Sequence, residues 1–201
     1  MARRRVGRRV VGEHAAQWAA TALVALVVLL VVQACGAGSG HGRATVPPTR
    51  HVVEDLDMQP ADFRNILTMT KVRGFYIDNR LGHLAEALRV ASSPTGGAYP
   101  VGTIIQLVPQ EAMVKRRAGF DPATHDWEFF SLRVSAQGTV ILRRGTTGVV
   151  NQFGGECVSC HSAAQPQFDM VCEHTHGCAP LPIGDDVIAK VQLADPRPRP
   201  R

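Results

Sequence analysis

The chain is poor in aromatic residues, which make up 5% of its 201 residues, and no basic stripe interleaves with them. That pattern argues against nucleic acid as a partner. Lysine is scarcer still, limited to Lys71, Lys115 and Lys190. The net charge of +5 is therefore an arginine property, and it is concentrated at one end. Arg3, Arg4, Arg5, Arg8 and Arg9 face a single acid, Glu13, within residues 1–14, which leaves about +1 for everything downstream. There is no internal repeat, so the length suggests one domain with accessory segments. No second C-x-x-C pair accompanies Cys157 and Cys160, as a zinc ribbon would require. No βαβ pattern surrounds them either, as a thioredoxin-like redox motif would require.

The N-terminus reads as an export signal. The arginine-rich start precedes an uncharged stretch over residues 15–34, whose centre is Leu23-Val24-Ala25-Leu26-Val27-Val28-Leu29-Leu30-Val31-Val32. A basic region followed by an apolar one reads as a signal peptide, and this one is just long enough to span a bilayer. It ends in Val32-Gln33-Ala34-Cys35-Gly36, which is similar to a bacterial lipobox with Cys35 as the lipidated residue. A plain uncleaved anchor remains the alternative. On either reading the arginines stay cytoplasmic and the remainder is exported. The expected location is periplasmic or otherwise extracytoplasmic, with the membrane held through the anchor or lipid. Residues 36–53 read as a flexible tether, rich in glycine and then Pro47-Pro48.

The globular part is expected over residues 54–193, with a disordered tail at 194–201. Asp62-Phe63-Arg64-Asn65-Ile66-Leu67, continued by Met69 and Val72, carries apolar residues at helical spacing. Leu81, Leu84, Ala85, Leu88 and Val90 predict a second helix, ended by the turn residues from Ser92 to Gly97. Gly102-Thr103-Ile104-Ile105-Gln106-Leu107-Val108 is β-branched and bounded by prolines. The stretches 127–134 and 139–143 flank Ser135-Ala136-Gln137-Gly138 as a hairpin. The expected class is α+β, an antiparallel sheet with flanking helices.

Cys157-Val158-Ser159-Cys160-His161 is C-x-x-C-H, the attachment pattern for a c-type haem. Residues three and four apart share one face of a helical turn. The two thiols can therefore form thioethers with the vinyl groups of one haem while His161 ligates its iron. A redox disulfide or half a zinc site is the alternative. Cys172 and Cys178 flank Glu173-His174-Thr175-His176-Gly177 and read as a local disulfide. A metal site built from those cysteines and histidines is the sharper alternative. Met113 and Met170 are candidates for a sixth iron ligand, with packing as the ordinary role of each.

Tyr99-Pro100-Val101-Gly102-Thr103-Ile104-Ile105, Lys115-Arg116-Arg117-Ala118-Gly119-Phe120, Asp126-Trp127-Glu128-Phe129-Phe130 and the C-x-x-C-H occur in an order that resembles the cytochrome P-460 family. That family shares its fold with the β-sheet type of cytochrome c-prime. The resemblance runs from roughly residue 61 to 183. It implies one covalent haem c, His161 as proximal ligand, and an iron whose other face is open to a small molecule. Founding members oxidise hydroxylamine and carry a lysine crosslinked to the porphyrin edge; relatives without the crosslink bind gases such as nitric oxide. Lys115 is the crosslink candidate by position, and Glu111 and Glu128 are candidate distal bases. This chain departs from the pattern at Gln106 and Leu107, where members often have an acid or lysine. A redox partner protein and a homodimer are further implications of the resemblance.

Overall fold

A computed structural model of the protein describes residues 55–173 and 175–199. The expected signal, the lipidated Cys35 and the tether lie outside these residues. Six strands form one antiparallel sheet in sequence order: β1 (Thr70–Val72), β2 (Phe75–Asn79), β3 (Thr103–Gln106), β4 (Glu111–Lys115), β5 (Trp127–Ser135) and β6 (Gly138–Gly145). Three helices accompany it: α1 (Leu84–Ser92), α2 (Cys157–His161) and α3 (Asp185–Leu193). The class is α+β, as expected.

Every strand pairs with its neighbour in the chain, so each connection is short except β2–β3, which carries α1. The β5–β6 hairpin turns where the sequence suggests, with Ser135 opposite Gly138 and a bulge at Ser131 and Leu132. α1 buries Ala87, Val90 and Ala91, three and four residues apart, against the sheet. Pro94 prevents the helix from continuing. Gly102 has φ +86°, and a Cβ there would stand 2.9 Å from Leu81 Cγ, so the turn entering β3 needs glycine.

Side chains alternate along each strand and divide the core in two. On one face Ile77, Ile105, Met113, Trp127 and Phe129 pack with α1 and with Val149, Cys157, Met170 and Val171 from the C-terminal region. On the other, Ile104, Ala112, Val114, Phe130 and Leu132 pack with Met58 and Phe63. The C-x-x-C-H segment therefore lies over the first face.

Two expectations fail. Residues 62–72 form no long helix. They make two single 3-10 turns, Pro60–Asp62 and Ile66–Thr68, and then β1. Asn65 explains the break: its side chain accepts from Leu67 N at 2.9 Å, a local bond that competes with helix. Its amide also donates to the carbonyls of Asp195 and Arg197. The second failure is the tail. Asp195 and Arg197 are buried, and Arg197 donates to Asp195 and to the Phe63 carbonyl at 2.9 Å. Asp195 and Arg197 are thus packed against residues 63–66, held by a buried ion pair with backbone partners, while Ala194, Pro196, Pro198 and Arg199 are exposed.

Candidate functional site

α2 is a single turn, and the chain before it determines where it lands. Val150 bridges Glu156, Cys157 N donates to Val149 O at 2.9 Å, and Asn151 Oδ1 accepts from Phe153 and Gly155. This self-closed loop delivers Cys157 into the first core. Cys160, three residues on, is exposed. The two thiols are free, not joined to each other. Burial, aided by the Glu111 charge, pushes the Cys157 thiol up to about 11. It is therefore a thiol at neutral pH when no group is bound.

His161 packs its ring against Phe129, with ring centroids 5.1 Å apart. Its Nδ1 lies 2.7 Å from the Met170 carbonyl oxygen. A carbonyl can only accept, so Nδ1 carries the proton and Nε2 keeps its lone pair for a metal. Burial lowers the His161 pKa, and the bond to Met170 offsets part of that. A neutral imidazole with one nitrogen anchored to backbone is the usual state of a metal-ligating histidine. Two unpaired thiols and such an imidazole on one turn fit the covalent haem that the spacing leads one to expect.

The other expected residues divide. Glu111 projects from β4 on the same sheet face as Met113, accepts from Gln152 N at 2.7 Å, and lies close enough to raise the Cys157 pKa. Burial raises its own pKa against the pull of that amide. Glu128 is on the opposite face. Arg116 Nη1 at 2.9 Å and Arg144 Nε at 2.6 Å hold its carboxylate there, so it cannot serve as a base at α2. The backbone carbonyl of Met170 is anchored at His161 Nδ1, and its side chain is buried in the first core. Met113 is buried between Ile105 and Phe129 in the sheet.

Lys115 is neither a surface charge nor a free amine. Its Nζ donates to both Asp169 oxygens, at 2.8 and 2.7 Å, and to the His125 carbonyl at 2.6 Å. All three protons are engaged, so reaching a porphyrin edge would strip Asp169 of its partner. The Cys172–Cys178 disulfide is formed, with Cα atoms 5.6 Å apart. The two-cysteine metal alternative is therefore not realised. Cys172 Sγ lies 3.1 Å from the Cys160 carbonyl oxygen, which sets the disulfide against the motif itself. His176 donates from Nδ1 to Val171 O and stacks on Phe168 at 3.7 Å.

Asp169 is the residue that sequence reasoning missed. It is buried, accepts from Lys115 and from Tyr99 N at 2.9 Å, and its carbonyl takes the Trp127 indole proton at 2.7 Å. No local pattern marks it, since its partners come from β4, β5 and the turn before β3. No family model, curated protein or solved structure matches the chain, so the reading of the site rests on its own geometry.

Proposed function

We propose that the chain is an exported mono-haem c-type cytochrome of the cytochrome P-460 type, with Cys157 and Cys160 as attachment points and His161 as proximal ligand. The observation that carries this is the 2.7 Å bond from His161 Nδ1 to the Met170 carbonyl, beside two free cysteines on the same turn. Each thiol adds across a vinyl double bond, sulfur to one carbon and hydrogen to the other, so no oxidant is needed. Bound there, a haem supplies an iron that can take a small nitrogen ligand, hydroxylamine or nitric oxide, and exchange electrons with it.

The chain's own residues do the rest. The Met170 carbonyl polarises the imidazole and strengthens its donation. The Phe129 contact holds the imidazole, and Cys157 and Cys160 would hold a haem through thioethers. Glu111, its pKa raised by burial, is the carboxyl nearest the motif among the expected bases and suits proton transfer to or from a bound substrate. The rival reading, a low-spin electron-transfer cytochrome, needs a sixth protein ligand. Met170 meets His161 through its backbone carbonyl at Nδ1 and Met113 is buried between Ile105 and Phe129 in the sheet, which favours an open iron.

Expression with a c-type maturation system, followed by intact mass and a pyridine haemochrome spectrum, tests attachment. One haem on Cys157 and Cys160 is expected, and its absence from exported protein overturns the proposal. A high-spin five-coordinate ferrous spectrum is expected as well. A low-spin six-coordinate spectrum gives the electron-transfer reading instead.

A further inference from the structure

The geometry points to Lys115 and Asp169 as positioning residues for His161, acting through the turn that presents the Met170 carbonyl. This rests on the haem reading above. Asp169 and Met170 both occupy the left-handed region, with φ of +50° and +63°. Two successive non-glycine residues rarely adopt it unless their surroundings impose it. Here the imposition is visible on every side. The Asp169 carboxylate is gripped by Lys115 Nζ and Tyr99 N, and His125 Nδ1 lies 3.4 Å from its Oδ1. The Asp169 carbonyl is fixed by Trp127 Nε1.

With both groups of Asp169 pinned to the sheet and Val171 N donating to Phe168 O at 2.9 Å, the turn holds the Met170 carbonyl toward His161 Nδ1. Lys115 is itself immobilised, 5.1 Å over the Trp127 ring and bonded to His125 O. The sheet therefore aims the imidazole through a buried ion pair, although neither Lys115 nor Asp169 touches it. The position that the family resemblance suggests for a crosslinking lysine holds, in this chain, a lysine that supports the histidine from behind.

Two measurements test this on wild type, Asp169→Asn, Lys115→Gln and, as a control that breaks a buried ion pair elsewhere, Asp195→Asn. In the haem-free chain, side-chain 15N shifts of His161 report its tautomer. In the haem-loaded chain, ferrous resonance Raman reports the iron–histidine stretch. Wild type and the Asp195 control are expected to hold one Nδ1–H tautomer and one stretching frequency. Both test variants are expected to show a tautomer mixture and a downshifted stretch. If Asp169→Asn does not fold, Lys115→Gln, which keeps Asp169 and a donor, carries both readouts. An Nε2–H tautomer in wild type, unchanged values in the variants, or an equal change in the control overturns the positioning role. Failure of wild type to attach haem sinks the haem reading alone, because the tautomer still decides this one.

Discussion

Replacing Asp195 by asparagine strips a buried guanidinium of its counter-charge. Arg197 and Asp195 are almost wholly shielded, and Arg197 Nη2 meets Asp195 Oδ2 at 2.6 Å while Nε reaches Oδ1 at 2.9 Å. In the variant the asparagine carbonyl can still accept from Arg197 Nε, but Nη2 loses its carboxylate partner and the guanidinium has no counter-charge, with only the neutral Phe63 carbonyl and the Thr139 hydroxyl at 3.4 Å beside it. Removing one partner of a buried pair costs about 3–5 kcal/mol, a large part of the roughly 5–15 kcal/mol that holds a domain together. At about 2–4 °C per kcal/mol for a domain of this size, the melting temperature should fall by roughly 10 °C. Replacing both residues, Asp195→Leu with Arg197→Met, removes the orphaned charge and should cost less than either single change. Arg199→Ala, at an exposed position two residues on, should move stability by less than about 0.5 kcal/mol. The pair also has a pH signature. Burial alone would raise the Asp195 pKa, but bonds from the Arg197 side chain and the Ile66 and Arg197 amides outweigh it and leave it lowered. Its contribution is thus complete above the ordinary aspartate value, near 4, and is lost as pH falls through the depressed native value. Urea denaturation at pH 7 and across the acid range measures both effects. A cost under about 1 kcal/mol for Asp195→Asn would refute the view that this segment is clamped, since an uncompensated buried charge cannot be that cheap.

Three further outcomes are expected. Converting Cys172 and Cys178 to serine should destabilise the protein by about 2–3 kcal/mol, the loop-closure value for so short a span, and reductant should match it in denaturation of the wild type; a loss below about 1 kcal/mol would contradict it. In haem-free protein at pH 8, Cys160 should be alkylated at least about tenfold faster than Cys157, because Cys160 is exposed while Cys157 is buried and pushed up to about 11; peptide mass spectrometry after timed labelling decides. Burial raises the Glu111 pKa, so its favourable contribution is present below the ordinary glutamate value and lost as pH rises through the native value. Wild type should therefore lose more stability than Glu111→Gln between about pH 4 and neutrality, and parallel pH profiles in urea denaturation would exclude a buried Glu111.

The parts of the fold that the sequence foretold are those set by local pattern. β5 and β6 alternate around a four-residue turn, and α1 has its apolar residues at helical spacing, so periodicity alone locates them. β4 escaped because Glu111-Ala112-Met113-Val114-Lys115 is buried on both faces and capped by charges that found partners, Gln152 N for Glu111 and Asp169 for Lys115. The 62–72 stretch has a helical stripe, yet Phe63 is committed to the second core and Asn65 to the C-terminal carbonyls, and tertiary contacts outrank propensity. The proline- and arginine-rich composition of the tail signals disorder, but one arginine with a carboxylate two residues before it is enough to bury Asp195 and Arg197 against the domain.

The candidate site divides along the same line. Five consecutive residues specify which bonds can form, and that much is written in C-x-x-C-H. Whether the imidazole is aimed depends on Met170, which depends on Asp169, which is held by Lys115, Tyr99 and Trp127 from three separate parts of the sheet. The disulfide against the Cys160 carbonyl adds a further restraint on the motif's exposed side. A motif with that spacing on an unsupported loop would carry the same thiols, but its histidine would sample both tautomers and many orientations. The antiparallel sheet thus gives a five-residue motif a histidine with one protonated nitrogen, one free lone pair and one direction, which is what the proposed haem attachment needs.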